Sequence, residues 1–304
     1  MLRSFLLFLS ERETPKKFLA HSSLGRKLAR RFIAGEEIED AVRAVRQLTA
    51  EGFAVTLDHL GESVYEVRHA EEACRIYLGL LDRLAAEGIP SHISIKLTQL
   101  GLAINEASAL ERVKSLVERA ARYHNFVRID MEGSAHTDAT LRVFRAANAP
   151  SEVLGIVIQS YLHRSEKDVD GLLQRGSRIR LCKGAYKEPP EVAFSGKADV
   201  DGNYIKLMQK LLLSGHYHAI ATHDPRMIAA TRQFATAQGI AADQFEFQML
   251  YGIRTDLQAR LVREGFRVRI YIPYGSQWFP YFMRRLAERP ANLFFFLKNL
   301  FRGG

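Results

Sequence analysis

Arg284 and Arg285 stand side by side in the segment Gln277–Glu288, and adjacent guanidiniums are the strongest chemical signal in the chain. Each is a rigid planar fork that meets a carboxylate or a phosphate through two parallel hydrogen bonds. At helical spacing Tyr281 falls one turn before Arg285, and Glu288 one turn after Arg284. Such a helix presents either an anion clamp or a solvated basic face. Other polar candidates recur just past short apolar runs. They are Asp58-His59, Lys96, Asp130-Met131-Glu132, Gln159, Arg180, Lys183-Gly184-Ala185-Tyr186, Thr222-His223-Asp224, Gln248, Leu250 and Tyr274. A charge beside an apolar strand is costly unless it is paired or used, so Lys96 and Asp130 are expected to neutralise each other.

The chemistry open to these groups is narrow. No Ser or Cys has an obvious base partner. His223 with Asp58, Asp130 or Asp224 lacks the spacing of a metal motif, so no metal is expected. Lys96 or Lys183 fits a Schiff-base role, which requires a lysine that loses its charge. What the set otherwise offers is a basic site for anions: a substrate carboxylate, a phosphate-bearing cofactor, or both.

The elements that must position these groups alternate along the chain. Strand patterns fall at residues 53–57, 92–97, 126–131, 154–158, 178–182, 218–222, 244–249 and 266–273, and an amphipathic helix pattern follows each. Short apolar strands alternating with helices imply a parallel sheet. Eight such units predict an α/β fold, a distorted (β/α)8 barrel, with a doubly wound open sheet as the rival. In a barrel all the polar strand ends share one rim. No glycine-rich nucleotide fingerprint is present. One domain is expected, with a helical arm at 1–51, the barrel at 53–292 and an apolar helical tail at 293–304.

Composition limits the partners. Of the 304 residues 47% are hydrophobic and 25% charged, as in a water-soluble folded protein. The net charge of +9 suits nucleic acid, an anionic membrane surface or acidic ligands. The basic residues are dispersed and no nucleic-acid-binding signature occurs, which argues against nucleic acid. Two cysteines, Cys74 and Cys182, without CxxC spacing fit a reducing, cytoplasmic setting, with Cys182 an inert thiol in an apolar run. Met1–Ser10 and Leu293–Phe301 are apolar and basic but too short to span a bilayer. Each fits either the inner face of a membrane or packing on the protein body or on a partner subunit. Oligomeric state is not specified.

Six motifs then occur in one order: SIKLTQLG (Ser94–Gly101), VRIDMEGS (Val127–Ser134), RLCKGAY (Arg180–Tyr186), ATHD (Ala221–Asp224), FQMLYGIR (Phe247–Arg254) and YIPYGSQWFPYFMRRLAER (Tyr271–Arg289). The set resembles the proline dehydrogenase family from Phe53 to Asn292, in its short monofunctional bacterial form. The resemblance implies a distorted barrel with noncovalent FAD, oxidation of L-proline to Δ1-pyrroline-5-carboxylate, and electron transfer to a membrane quinone. It assigns Arg284, Arg285 and Lys96 to the substrate carboxylate, with Asp130 the acidic partner of that lysine. Leu250 and Tyr274 are assigned to the proline ring, and Glu288 to closing the site. Flavin contacts fall on Met131, Gln159, Lys183, Gly184, Ala185, Thr222 and His223, with Arg180 near flavin N5. Asp130 and Arg180 are the expected catalytic pair. Two positions depart from the pattern: Asp224 where Asn is usual, and Cys182 where Val is usual. The rival class is a cofactor-free Schiff-base lyase barrel acting on a small carboxylate through Lys96.

Overall fold

Eight parallel strands close on themselves in chain order, each hydrogen-bonded to the next and the last to the first. The computed structural model describes residues 29–61 and 63–288, and of residues 286–288 the backbone alone. The strands are β1 (Ala54–His59), β2 (Ser91–Ile95), β3 (Val127–Ile129), β4 (Leu154–Gln159), β5 (Arg178–Cys182), β6 (His218–Ala221), β7 (Phe245–Leu250) and β8 (Val268–Tyr274). The helix α1 (Ile38–Ala50) precedes β1. Between strands lie α2 (Val67–Ala86), α3 (Glu106–Arg122), α4 (Thr137–Ala147), α5 (Ser165–Leu173), α6 (Lys197–Leu213), α7 (Pro225–Ala237) and α8 (Thr255–Arg263). The last helix, α9 (Trp278–Glu288), follows β8.

The predicted barrel is therefore the observed one. The expected arm contributes α1 among the described residues, while Met1–Ser10 and the tail from Leu293 lie outside them.

Strand alternation sorts the barrel into two shells. Outward residues such as Val55, Leu57, Ile93, Ile95, Ile270 and Ile272 are fully buried under the helices. The principal apolar core is this interface between strands and helices. The inward shell is mostly polar. It carries Asp58, Ser94, Lys96, Arg128, Asp130, Arg180, Glu246, Gln248, Arg269 and Tyr271. At the N-terminal end of the lumen Arg269 Nε donates to Glu246 at 2.8 Å and Nη1 to the Val55 carbonyl at 2.8 Å. Arg128 donates to the Arg178 carbonyl at 2.7 Å. Gly155 makes room for it, since a Cβ there would lie 2.4 Å from Arg128 Nη1.

A second apolar cluster holds α9 in place. Trp278, Phe279, Phe282 and Met283 pack against Ala29, Phe32, Ile33, Leu60 and Ile253. Trp278 Nε1 also donates to Glu36 at 2.9 Å. Burying this face fixes the opposite face of the helix, with its paired arginines, over the end of the barrel.

Candidate active site

The C-terminal ends of the strands surround a cavity of about 480 Å³. It is lined by Lys96, Asp130, Met131, Gln159, Arg180, Lys183, Gly184, Ala185, Thr222, His223, Leu250, Arg284 and Arg285. These predicted residues come from β2 to β7, the loops after them, and α9. Two predicted residues are not placed there. Tyr274 is buried beside His59, ring centroids 5.2 Å apart, and lines a separate cleft with residues of α1 and α2. The reason is the two-residue period of β8: Arg269 and Tyr271 point inward, so Tyr274 points outward with Ile270 and Ile272. The ring expected from Tyr274 is supplied to the cavity by Tyr271. The backbone of Glu288 closes α9, and its side chain lies outside the described residues.

At the floor, charged groups share donors and acceptors. Asp130 Oδ1 accepts from Arg180 Nη1 at 2.8 Å and from Ser94 Oγ at 3.1 Å. Its Oδ2 accepts from the Tyr271 hydroxyl at 2.8 Å. Arg180 Nη2 donates to Ser94 Oγ at 3.1 Å. Lys96 was expected to pair with Asp130. Its closer partner is Asp58, at 2.7 Å, and Asp130 lies 3.7 Å away. Both contacts are ion pairs, so the expected pairing is present beside a closer one, and Asp130 also accepts from two hydroxyls and a guanidinium. Burial alone disfavours charge on Lys96, but Asp58 and Asp130 outweigh it and hold the ammonium above the ordinary lysine value. Burial and then Asp130 push the Tyr271 phenol well above its usual range.

The wall between β4 and β7 is built around backbone approach. Gly184 has φ +110, and a Cβ there would run into the Tyr161 ring. The chain can therefore make its Lys183–Ala185 turn only with glycine at this position. His223 Nε2 accepts from the Leu250 amide at 2.8 Å, which fixes the ring between β6 and β7. Lys183 Nζ donates to Asp201 at 2.5 Å and to Asp224 at 2.8 Å. Asp224 also caps α7 by accepting from the Arg226 amide at 3.0 Å. Burial opposes its charge, but Lys183 and the Arg226 amide hold its carboxyl down to about 2. The departure at Asp224 thus ties a helix cap to a cavity cation. Cys182 lines the cavity half-buried, and burial pushes its thiol up to about 12, which matches an inert role.

Among the described residues five basic side chains line the cavity (Lys96, Arg180, Lys183, Arg284 and Arg285) against three acidic ones (Asp58, Asp130 and Asp224). The surplus suits anionic ligands. Arg285 also lies over the Tyr281 ring, 5.1 Å from its centroid, which orients the guanidinium. Asp58, Tyr271, Gln248 and Tyr186 line the cavity without having been assigned a role. Asp58 and Gln248 were recognised as strand ends. The alternation Arg269, Tyr271 in β8 was the available signal for Tyr271.

Among the described residues no group of three or more His, Cys, Asp or Glu is arranged to hold a metal ion. None of their helices is long and apolar enough to cross a membrane.

Comparison with known proteins agrees with this geometry. The proline dehydrogenase family model matches residues 41–297. The chain is 43% identical over 298 residues to proline dehydrogenase 2 of Bacillus subtilis, covering 98% of both chains. It is 43% identical over 281 residues to proline dehydrogenase of Deinococcus radiodurans, covering 91% of each. The crystal structure of proline utilization A from Bdellovibrio bacteriovorus, inactivated by N-propargylglycine, superimposes with a TM-score of 0.81 at 28% identity. That match covers 87% of this chain and 33% of the longer protein.

Proposed function

Because the chain belongs to the proline dehydrogenase family, oxidoreductases of proline metabolism, we propose that it oxidises L-proline to Δ1-pyrroline-5-carboxylate with noncovalently bound FAD and delivers the electrons to a membrane quinone. The observation that carries the reading is the meeting of the Arg284–Arg285 pair, the Lys96–Asp58–Asp130–Arg180 cluster and the Lys183–Ala185 turn around one cavity.

The residues fit a flavin dinucleotide. Gln159 Oε1 is buried in the cavity wall with no hydrogen-bond partner, while its Nε2 donates to the Met131 carbonyl at 3.2 Å. A buried orphan acceptor is costly unless a ligand donor meets it. Gly184 lines the cavity, so its turn presents backbone to a ligand there. Met131, Gln159, Lys183, Gly184, Ala185, Thr222 and His223 would hold the cofactor. When bound, the flavin supplies a hydride acceptor, so the protein needs no nucleophile of its own.

The chain's task is to bind and orient proline. Arg284, Arg285 and Lys96 hold the carboxylate, each charge-assisted bond being worth about 1.5–3 kcal/mol. Fixing that distal group sets the position of the ring carbon that loses hydride and turns binding energy into orientation. Leu250 and Tyr271 bound the ring space. Arg180, held by Asp130 and Ser94, would offer a fixed positive charge to a bound hydride acceptor. Asp130 and Lys96 set the field in which proline's amine gives up its proton before hydride departs.

The lyase reading is disfavoured by the site itself. A Schiff-base lysine must be neutral to attack, whereas Asp58 and Asp130 stabilise the charged form of Lys96. The test is product formation. With L-proline and a soluble quinone analogue, the purified holoprotein should yield an imine that o-aminobenzaldehyde traps as a coloured adduct. Absence of the adduct under flavin-saturating conditions would overturn the proposal.

A further inference from the structure

Between β5 and α6 the chain makes a long loop, residues 183–196, and loops of this length inside a barrel usually serve a site. Its two ends are stapled to the loop after β4. The Tyr161 amide donates to the Lys183 carbonyl at 2.9 Å, the Phe194 amide to the Tyr161 carbonyl at 2.8 Å, and the His163 amide to the Val192 carbonyl at 3.0 Å. The middle is held differently. Glu188 Oε1 accepts from the Ser134 amide at 2.7 Å, Oε2 from the Ser134 hydroxyl, and Oε1 also lies 3.4 Å from the Tyr161 hydroxyl. Ser134 opens the short 3-10 helix after β3, so one carboxylate joins the far sides of three successive loops.

Two residues before Glu188 stands Tyr186. Its ring lines the cavity yet is 43% exposed, and no hydrogen bond to another described residue holds it. Neither Glu188 nor Ser134 lines the cavity. The position of Tyr186 over the cavity mouth is therefore set by the backbone on either side. On one side it is anchored at Gly184 against Tyr161, and on the other at Glu188.

We propose that Glu188 is a positioning residue: by clasping Ser134 it seats the strap that carries Tyr186 over the substrate cavity. The role in turnover rests on the function proposed above, whereas the clasp itself does not. Among the described residues no hydrogen bond joins Tyr186 or Glu188 to Lys96, Asp130 or Arg180. Loosening the strap should therefore weaken substrate capture more than the chemical step.

Ser134→Pro tests this at a distance from the cavity. Gly133 has φ −59 and ψ 155, the extended geometry that a residue before proline favours, and proline is tolerated at the first position of a helix. The change removes both Ser134 donors and leaves the loop sequence intact. Two quantities are read. One is the rate of trypsin cleavage after Lys187 in the holoprotein without substrate. The other is the split between KM and kcat for L-proline. We expect cleavage about tenfold faster, and KM about tenfold higher with kcat within about twofold. Glu188→Gln, made alone, keeps an acceptor for the Ser134 amide, and its KM should fall between those of wild type and Ser134→Pro. If Ser134→Pro melts early, Ser134→Ala, which loses only the hydroxyl donor, should shift both readouts in the same direction by less. Unchanged cleavage overturns the clasp, and faster cleavage with unchanged KM overturns its role over the substrate. Should the wild-type protein fail to oxidise proline, the proposed function falls while the cleavage rates still decide the clasp.

Discussion

At the scale of single residues, the site is a set of charges whose partners select one another. Lys96 and Asp130 sit on adjacent strands, with Ser94 level with Arg128 in the β2–β3 register. Sequence alone therefore pairs them. In the structure the ammonium bridges both Asp58 and Asp130, closer to Asp58, while Arg180, Ser94 and Tyr271 also donate to Asp130. That arrangement depends on side chains from five strand units, which no local pattern contains. Tyr271→Phe removes one of the donors to Asp130 and leaves the ring. The loss should be about 1–1.5 kcal/mol, or roughly 5- to 10-fold in kcat/KM, with an unchanged melting temperature. Equal kcat/KM in the two proteins would show that the hydroxyl does not hold Asp130 for the reaction. Arg285→Met removes half of the paired fork. It should cost about 2–4 kcal/mol, roughly 30- to 1,000-fold in kcat/KM for proline, while flavin content stays at the wild-type level. Loss of flavin in step with activity would place Arg285 with the cofactor instead. The arginine pair stood out in sequence as either an anion clamp or a solvated basic face, and the structure sets both guanidiniums at the cavity. Tyr274 was misplaced because its identity was read without its parity on β8.

At the scale of elements, the strand–loop–helix units present the site, and their boundaries came out of the sequence unevenly. Strands buried on both faces read clearly as short apolar runs between polar ends. The start of α6 did not. The helix begins at Lys197, just over a turn before Gly202, a residue that reads as a break in the sequence. No neighbour lies within 4 Å of a Cβ at Gly202, so the helix runs through it at only the usual glycine cost. The early start matters to the site. It puts Asp201 in the helix, where it bridges Lys183 at 2.5 Å, Lys197 at 2.5 Å and Arg226 at 2.7 Å. The turn after β5 is the most demanding piece of backbone at the cavity. Gly184→Ala would combine a backbone strain of about 1–3 kcal/mol with a clash against Tyr161. The expected result is a folded barrel whose ratio of flavin to protein absorbance falls severalfold after gel filtration. Full flavin retention would mean that the turn does not contact the cofactor.

At the scale of the whole molecule, the barrel is held by an apolar outer shell and a charged lumen, and the two respond differently to solution conditions. Glu246 is buried and bonded to Arg269. Burial alone would raise its carboxyl, but Arg269 outweighs that and lowers it to about 2 from the ordinary 4.5. A lowered carboxyl stabilises the fold at pH above 4.5 and loses that contribution as pH falls toward 2. Glu246→Gln leaves Arg269 buried without its counter-charge, and should cost about 3–5 kcal/mol near neutral pH. In urea titrations the gap between wild type and variant should shrink as pH drops below 4.5, and a constant gap would contradict the ion pair. The eightfold repeat was legible because each unit is local in the chain. The polar lumen was not, because the inward parity of Glu246 and Arg269 is set by the register of β7 on β8 and not by residue type. All three scales meet in one claim: that these residues assemble a flavin site which oxidises proline. The most direct measurement is the visible spectrum of the purified holoprotein before and after L-proline is added without oxygen. A flavin spectrum that bleaches with proline, and bleaches far less in Arg285→Met at the same proline concentration, is the predicted result. A protein that stays colourless after reconstitution with FAD, or a flavin spectrum that proline leaves unchanged, would contradict it.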